Sequence, residues 1–135
     1  MTTDIDAVLA GITDPDPRVR VALMVDAICR SVGELLPLGR KLIKLTVDAA
    51  PTADSPKRGY RRIRWIARAI DPLRAELGPM RFEDLVSALA LVVGWEAFIV
   101  LHDIRGLDDE QARQVSLSAA LVLIDAAVTD TAASG

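Results

Sequence analysis

Few residues in this chain could do chemistry, and they are scattered. His102 is the only histidine. It falls four residues after Phe98 and seven after Trp95, so the three share one helical face. An imidazole can bind metal or move protons, but no second ligand stands near it in sequence. It can serve as a polar contact in a ligand pocket, as a partner for a helix C-terminus, or as a hydrogen-bonded core histidine. Asp103 beside it is no catalytic partner, because helix neighbours point in different directions. Glu96 lies inside the most apolar run of the chain, where an unpaired carboxylate is costly. It needs an arginine, a polar ligand group or a route to solvent, and Arg62, Arg64 or Arg68 is the expected partner. Gly94, two residues earlier, weakens a helix by about 1 kcal/mol relative to alanine. A glycine kept there points to close approach by another helix or a ligand.

The remaining candidates have plainer explanations. Cys29 sits between Met24 and Val32 on a helical stretch and reads as a small hydrophobe. As the single cysteine it excludes an intrachain disulfide. Asp108, Asp109 and Glu110 complement the positive end of a helix rather than build a metal site. Lys57, Arg61, Arg64 and Arg68 form a basic stripe suited to phosphates. The net charge of −3 favours a solvated face instead. The sequence has no phosphate loop, nucleophile elbow or HExxH pair. No catalytic residue, metal ligand or cofactor is expected.

The elements that must position these residues are helical. The chain has 135 residues, 51% apolar, 26% charged and only 4% aromatic. That composition suits one globular domain with a real core. Asp4 to Gly11 reads as a short helix, and residues 1–15 as that helix plus a linker. Asp16 and Pro17 form a cap-and-start pair. Val21, Met24, Val25, Ile28, Val32, Leu35 and Leu36 recur at threes and fours down the next helix. Pro37 opens a further piece. Pro51 to Pro56 is a loop, and a basic helix runs from Lys57 to Ile70. Asp71-Pro72 repeats the start signal, and a short helix ends at Gly78-Pro79.

Two long apolar helices follow, Arg81–Leu101 and Asp108–Val128. Gly106 is placed to end the first, and Asp108 with Gln111 to cap the second. Both are apolar on more than one face, so a partner subunit is the natural cover. Residues 129–135 read as a frayed tail. The N-terminus has no apolar leader. The run Leu85–Leu101, holding Gly94 and Glu96, is short for a membrane span. A cytoplasmic location is expected.

The segment Ala88-Leu89-Ala90-Leu91-Val92-Val93-Gly94-Trp95-Glu96-Ala97, then Leu101-His102-Asp103, then Gly106-Leu107-Asp108 and an alanine-rich last helix, resembles the C-terminal regulatory domain of TetR-type transcriptional regulators. The likeness extends more loosely back to about Asp16. It implies an all-α bundle whose last two helices pair with their symmetry mates in a four-helix homodimer interface. The earlier helices would enclose a pocket for a small apolar ligand. The family's helix-turn-helix, with its Tyr-x-x-Phe end, has no counterpart before Asp16, so no DNA binding is expected of this chain alone. Met24, Ile28, Tyr60, Trp65, Trp95, Phe98 and His102 are the candidate pocket residues. Val115, Ala119, Val122 and Ala126 are the candidate interface. The function expected is small-molecule sensing and dimerisation without the DNA-binding head. The alternative is a stand-alone helical interaction module with no ligand.

Overall fold

The computed structural model describes the backbone of residues 3–48 and 60–134, with side chains for 3–33 and 61–130. The fold is all-α: the described residues contain helices and no strand. Helices α1 (Ile5–Ala10), α2 (Pro17–Asp48) and α3 (Tyr60–Ala69) precede a 3-10 turn at Asp71–Leu73. Then come α4 (Arg74–Val92), α5 (Trp95–Ile99), a π turn at Val100–Ile104 and α6 (Asp109–Ser134).

The helix starts follow from local chemistry. Asp4 accepts from the Ala7 N–H at 3.1 Å, and Asp16 from the Arg18 N–H at 2.9 Å. Each carboxylate satisfies a backbone donor that has no partner inside its helix. At α6 the cap is reciprocal. The Gln111 N–H donates to Asp108 Oδ1 at 2.8 Å, and the Asp108 N–H donates to Gln111 Oε1 at 3.0 Å. Gly106, at φ +68°, takes the left-handed turn that lets the chain reverse before this cap. The C-terminal carbonyls of α3 are met from α2. Arg20 donates to the Ala69 and Arg68 carbonyls, both at 2.8 Å.

Helix α2 is the centre of the bundle and touches α1, α3, α5 and α6, while α6 also packs along α4. Val21, Val25, Ile28 and Val32 stack down its inner face at helical spacing. Ile66 and Ile70 of α3, Phe82 and Leu89 of α4, Phe98 of α5 and Ile124 of α6 close on them. Arg18 pairs with Asp125 and ties α2 to α6 at the rim.

Four expected boundaries move. Arg81–Leu101 is not one helix: α4 stops at Val92, Gly94 adopts φ +129° and ψ −170°, and α5 starts afresh. Only glycine takes that backbone readily. Helix α2 runs through Pro37, because the proline's fixed φ is helical and the helix gives up only local bonding there. Asp71 does not cap the next helix with its side chain. It pairs with Arg74 at 3.1 Å, and the turn it opens is 3-10. Helical backbone runs on past Val128, through Ser134. Gly78-Pro79 interrupts α4 as expected, with Gly78 at φ +78°.

Candidate functional site

The break at Gly94 organises the most distinctive surface of the molecule. Ending α4 at Val92 frees carbonyls that would otherwise bond up the helix. Ser116 of α6 meets one of them: its hydroxyl donates to the Val92 carbonyl at 2.6 Å. Ser116 is the one fully buried polar residue among those described, and this bond explains its place in the core. The restart turns α5 so that Phe98 points into the core while Glu96, Ala97 and Val100 face outward.

Outside the break lies an open apolar groove of about 280 Å³, lined by residues of α4, α5 and the π turn on one side and of α6 on the other. Leu91, Val100 and Val115 give it exposed walls, at 80%, 46% and 46% accessibility. Ala119 and Ser116 form part of its α6 side. One turn further along α6, Val122 is 65% exposed. Of the candidate interface residues, Val115 and Ala119 therefore line the groove, and Val122 and exposed Ala126 continue their stripe at helical spacing. The buried stripe of α6, at Ala112, Ser116, Ala120 and Ile124, runs beside it. This is the sense in which α6 is apolar on more than one face.

Glu96 also lines the groove, and its carboxylate is bonded to Arg62 of α3. Arg62 is the arginine that falls off the stripe of Arg61, Arg64 and Arg68, which are exposed. Its guanidinium lies directly over Gly94. A Cβ on that residue would fall 2.3 Å from Arg62 Nη1. The close approach expected at Gly94 is thus made by an arginine side chain.

The candidate pocket residues are placed less uniformly. Met24, Ile28 and Phe98 are core residues at 0–3% exposure. Trp65 and Trp95 are half-buried against the core, and the Trp65 indole donates to Asp6 at 2.9 Å. Phe98 and His102 are in ring contact, with centroids 5.7 Å apart. None of these residues lines the groove. Tyr60's side chain, Lys57 and Arg58 lie outside the described residues.

His102 lies in the π turn, mostly buried, with Nε2 3.0 Å from Asp109 Oδ1. The N–H is not aligned for a hydrogen bond, so the contact is one of charge when the ring is protonated. Asp109 was hidden from sequence reasoning because the chain reverses between the two residues. Leu91, Val100 and Ser116 were also missed. The usable signal was a serine at the i+4 spacing between Ala112 and Ala120. Burial pushes the Cys29 thiol up to about 12, against the pull of Arg113. Glu110 is held below the usual carboxylate range by its hydrogen bond from Arg113. Among the described residues no three His, Cys, Asp or Glu side chains gather as a metal site.

The stretches Asp71–Ile104 and Asp109–Asp130 are long and apolar enough to cross a membrane by length and composition. The uninterrupted run Leu85–Leu101 is shorter, and helical structure continues on both sides of it. Of their most apolar windows 33% and 22% is fully buried; Ala90, Val92, Leu101, Leu117 and Leu123 pack half-buried against the core, while Leu91, Val100, Val115 and Val122 are exposed. The first stretch is broken at Gly78 and Gly94. A backbone broken at bilayer depth needs protein partners for its polar groups. No protein-family model, curated protein or solved structure matches the chain.

Proposed function

We propose that this chain is the pairing and regulatory domain of a TetR-type transcriptional regulator, and that a second copy covers the groove between α4–α5 and α6. The observation that carries this reading is the uncovered apolar face made by Leu91, Val100, Val115 and Val122. Burying a side chain of this size contributes about 1.5–3 kcal/mol. Association costs roughly 4–15 kcal/mol in lost freedom and ordering. A two-fold contact uses the same patch on both subunits, so the four residues, each 46–80% exposed, count twice and reach the same range as that cost. Ala119 and Ala126 keep this stripe of α6 low enough for a partner helix to approach closely. The likeness in the run from Ala88 to Asp108 supports the same arrangement, a four-helix interface of the last two helical segments with their mates.

Small-molecule sensing belongs to this reading through the resemblance alone. A second reading, an interaction module without a ligand, rests on the same exposed apolar face and needs no cavity beside the buried Met24, Ile28 and Phe98. Tryptophan quenching together with a raised melting temperature, for a small apolar compound, separates the two readings. In either reading, specific DNA binding by this chain alone is not expected.

The test places one charge on the stripe. In a symmetric contact each Val122→Glu or Ala119→Glu brings two carboxylates into the interface. Both variants should sediment as folded monomers under conditions where wild type is a dimer. Variants with unchanged mass would move the interface elsewhere. Wild type that stays monomeric and co-sediments with lipid vesicles would replace the partner subunit with a membrane surface.

A further inference from the structure

We propose that the Arg62–Glu96 pair, closed over Gly94, is a latch that sets α5 in the position from which the groove can pair, so that changes at α3 reach the dimer face. This rests on the pairing proposed above and adds its control.

Helix α5 is suited to being set from outside. It has five residues and is bounded by non-α backbone on both sides, Gly94 before it and the π turn after it. One of its faces is groove wall, at Glu96 and Ala97, and another is core, at Phe98. A small rotation about Gly94 would therefore move the wall relative to Val115 and Ala119. The two ends of the break are held differently. The end of α4 is fixed from α6 by the Ser116 bond to the Val92 carbonyl. The start of α5 is tied to α3 by Arg62. The Arg62 side chain is 16% exposed, against 36% for Glu96. Arg62 Nε is buried without an acceptor among the described residues, and the guanidinium donates to Glu96 through Nη1. The pair thus spans from the inner side of α3 to the groove surface through one carboxylate. A glycine at the break lets the arginine lie flat against the backbone, where any side chain would displace it.

The experiment measures dimer dissociation constants by sedimentation equilibrium for full-length wild type, Glu96→Gln, Arg62→Met, the double variant and Arg62→Lys. Circular dichroism and melting temperature are followed for each. The latch predicts that Glu96→Gln and Arg62→Met each weaken the dimer at least about ten-fold, and that the double variant is no worse than the poorer single. Arg62→Lys, which keeps the charge, should recover most of the affinity. Glu96→Gln is the discriminating arm. If Glu96 acts only as a charge near the interface, its removal should tighten the dimer. Amide exchange in residues 95–101 should also speed up in the two single variants, a readout that survives if either proves too weak to dimerise. Unchanged constants, or a tighter dimer for Glu96→Gln, would overturn the latch while leaving the pairing intact. A monomeric wild type would overturn both.

Discussion

At the scale of single residues, the informative ones are those that look out of place. A carboxylate inside an apolar run has to be paired or reach water, and Glu96 is paired. That much was legible, down to the helix that supplies the arginine. Which arginine was not, because the choice depends on how α3 is rotated against α5. With hindsight the stripe holds the answer: Arg61, Arg64 and Arg68 share the outer face, which leaves Arg62 turned toward the bundle. His102 shows the opposite case. Its partner Asp109 is brought near by the reversal at Gly106, and no spacing rule connects the two. Cys29 behaves as its sequence context suggests. With its thiol pushed up to about 12 by burial, it holds little thiolate at about pH 8. Folded protein should therefore react with iodoacetamide far more slowly than protein unfolded in urea, as followed by mass spectrometry. Equal rates would mean that α2 opens readily around this position.

Elements were legible wherever a cap or a glycine punctuates them. Asp4, Asp16 and the Asp108–Gln111 box each start a helix where their types predict. The failures are equally physical. Periodicity predicts one helix from Arg81 to Leu101 because apolar residues continue on both sides of Gly94, and a glycine inside a helical pattern can be either tolerated or decisive. What makes it decisive here is tertiary: Arg62 occupies the space of the missing Cβ, and Ser116 takes up the freed Val92 carbonyl. Pro37 looks like a boundary and is not one, since a long helix can lose one bond and continue. The Ser116 bond can be tested by itself. Ser116→Ala removes the hydroxyl and leaves a buried carbonyl short of that donor, at a cost of about 1–3 kcal/mol. Urea denaturation should show the loss as a lower midpoint with an unchanged slope. A variant as stable as wild type would show that the break is held by packing alone.

For the whole molecule, the proposal turns on open apolar surface. The last helices are apolar on several faces, and such helices call for cover on more than one side. The structure shows where the deficit falls: α2 and α4 cover one stripe of α6, and the neighbouring stripe with Val115 and Val122 stays open. Where a ligand would sit is far less legible, since large side chains at helical spacing serve a packed core as well as a pocket. The account's central claim is that a second copy fills the open face. Sedimentation equilibrium of the wild-type chain at micromolar concentration, in detergent-free buffer at moderate salt, tests it most directly. The account predicts a mass twice the 14.5 kDa of one chain, falling toward 14.5 kDa on dilution. A single species of 14.5 kDa across the whole concentration range would contradict it.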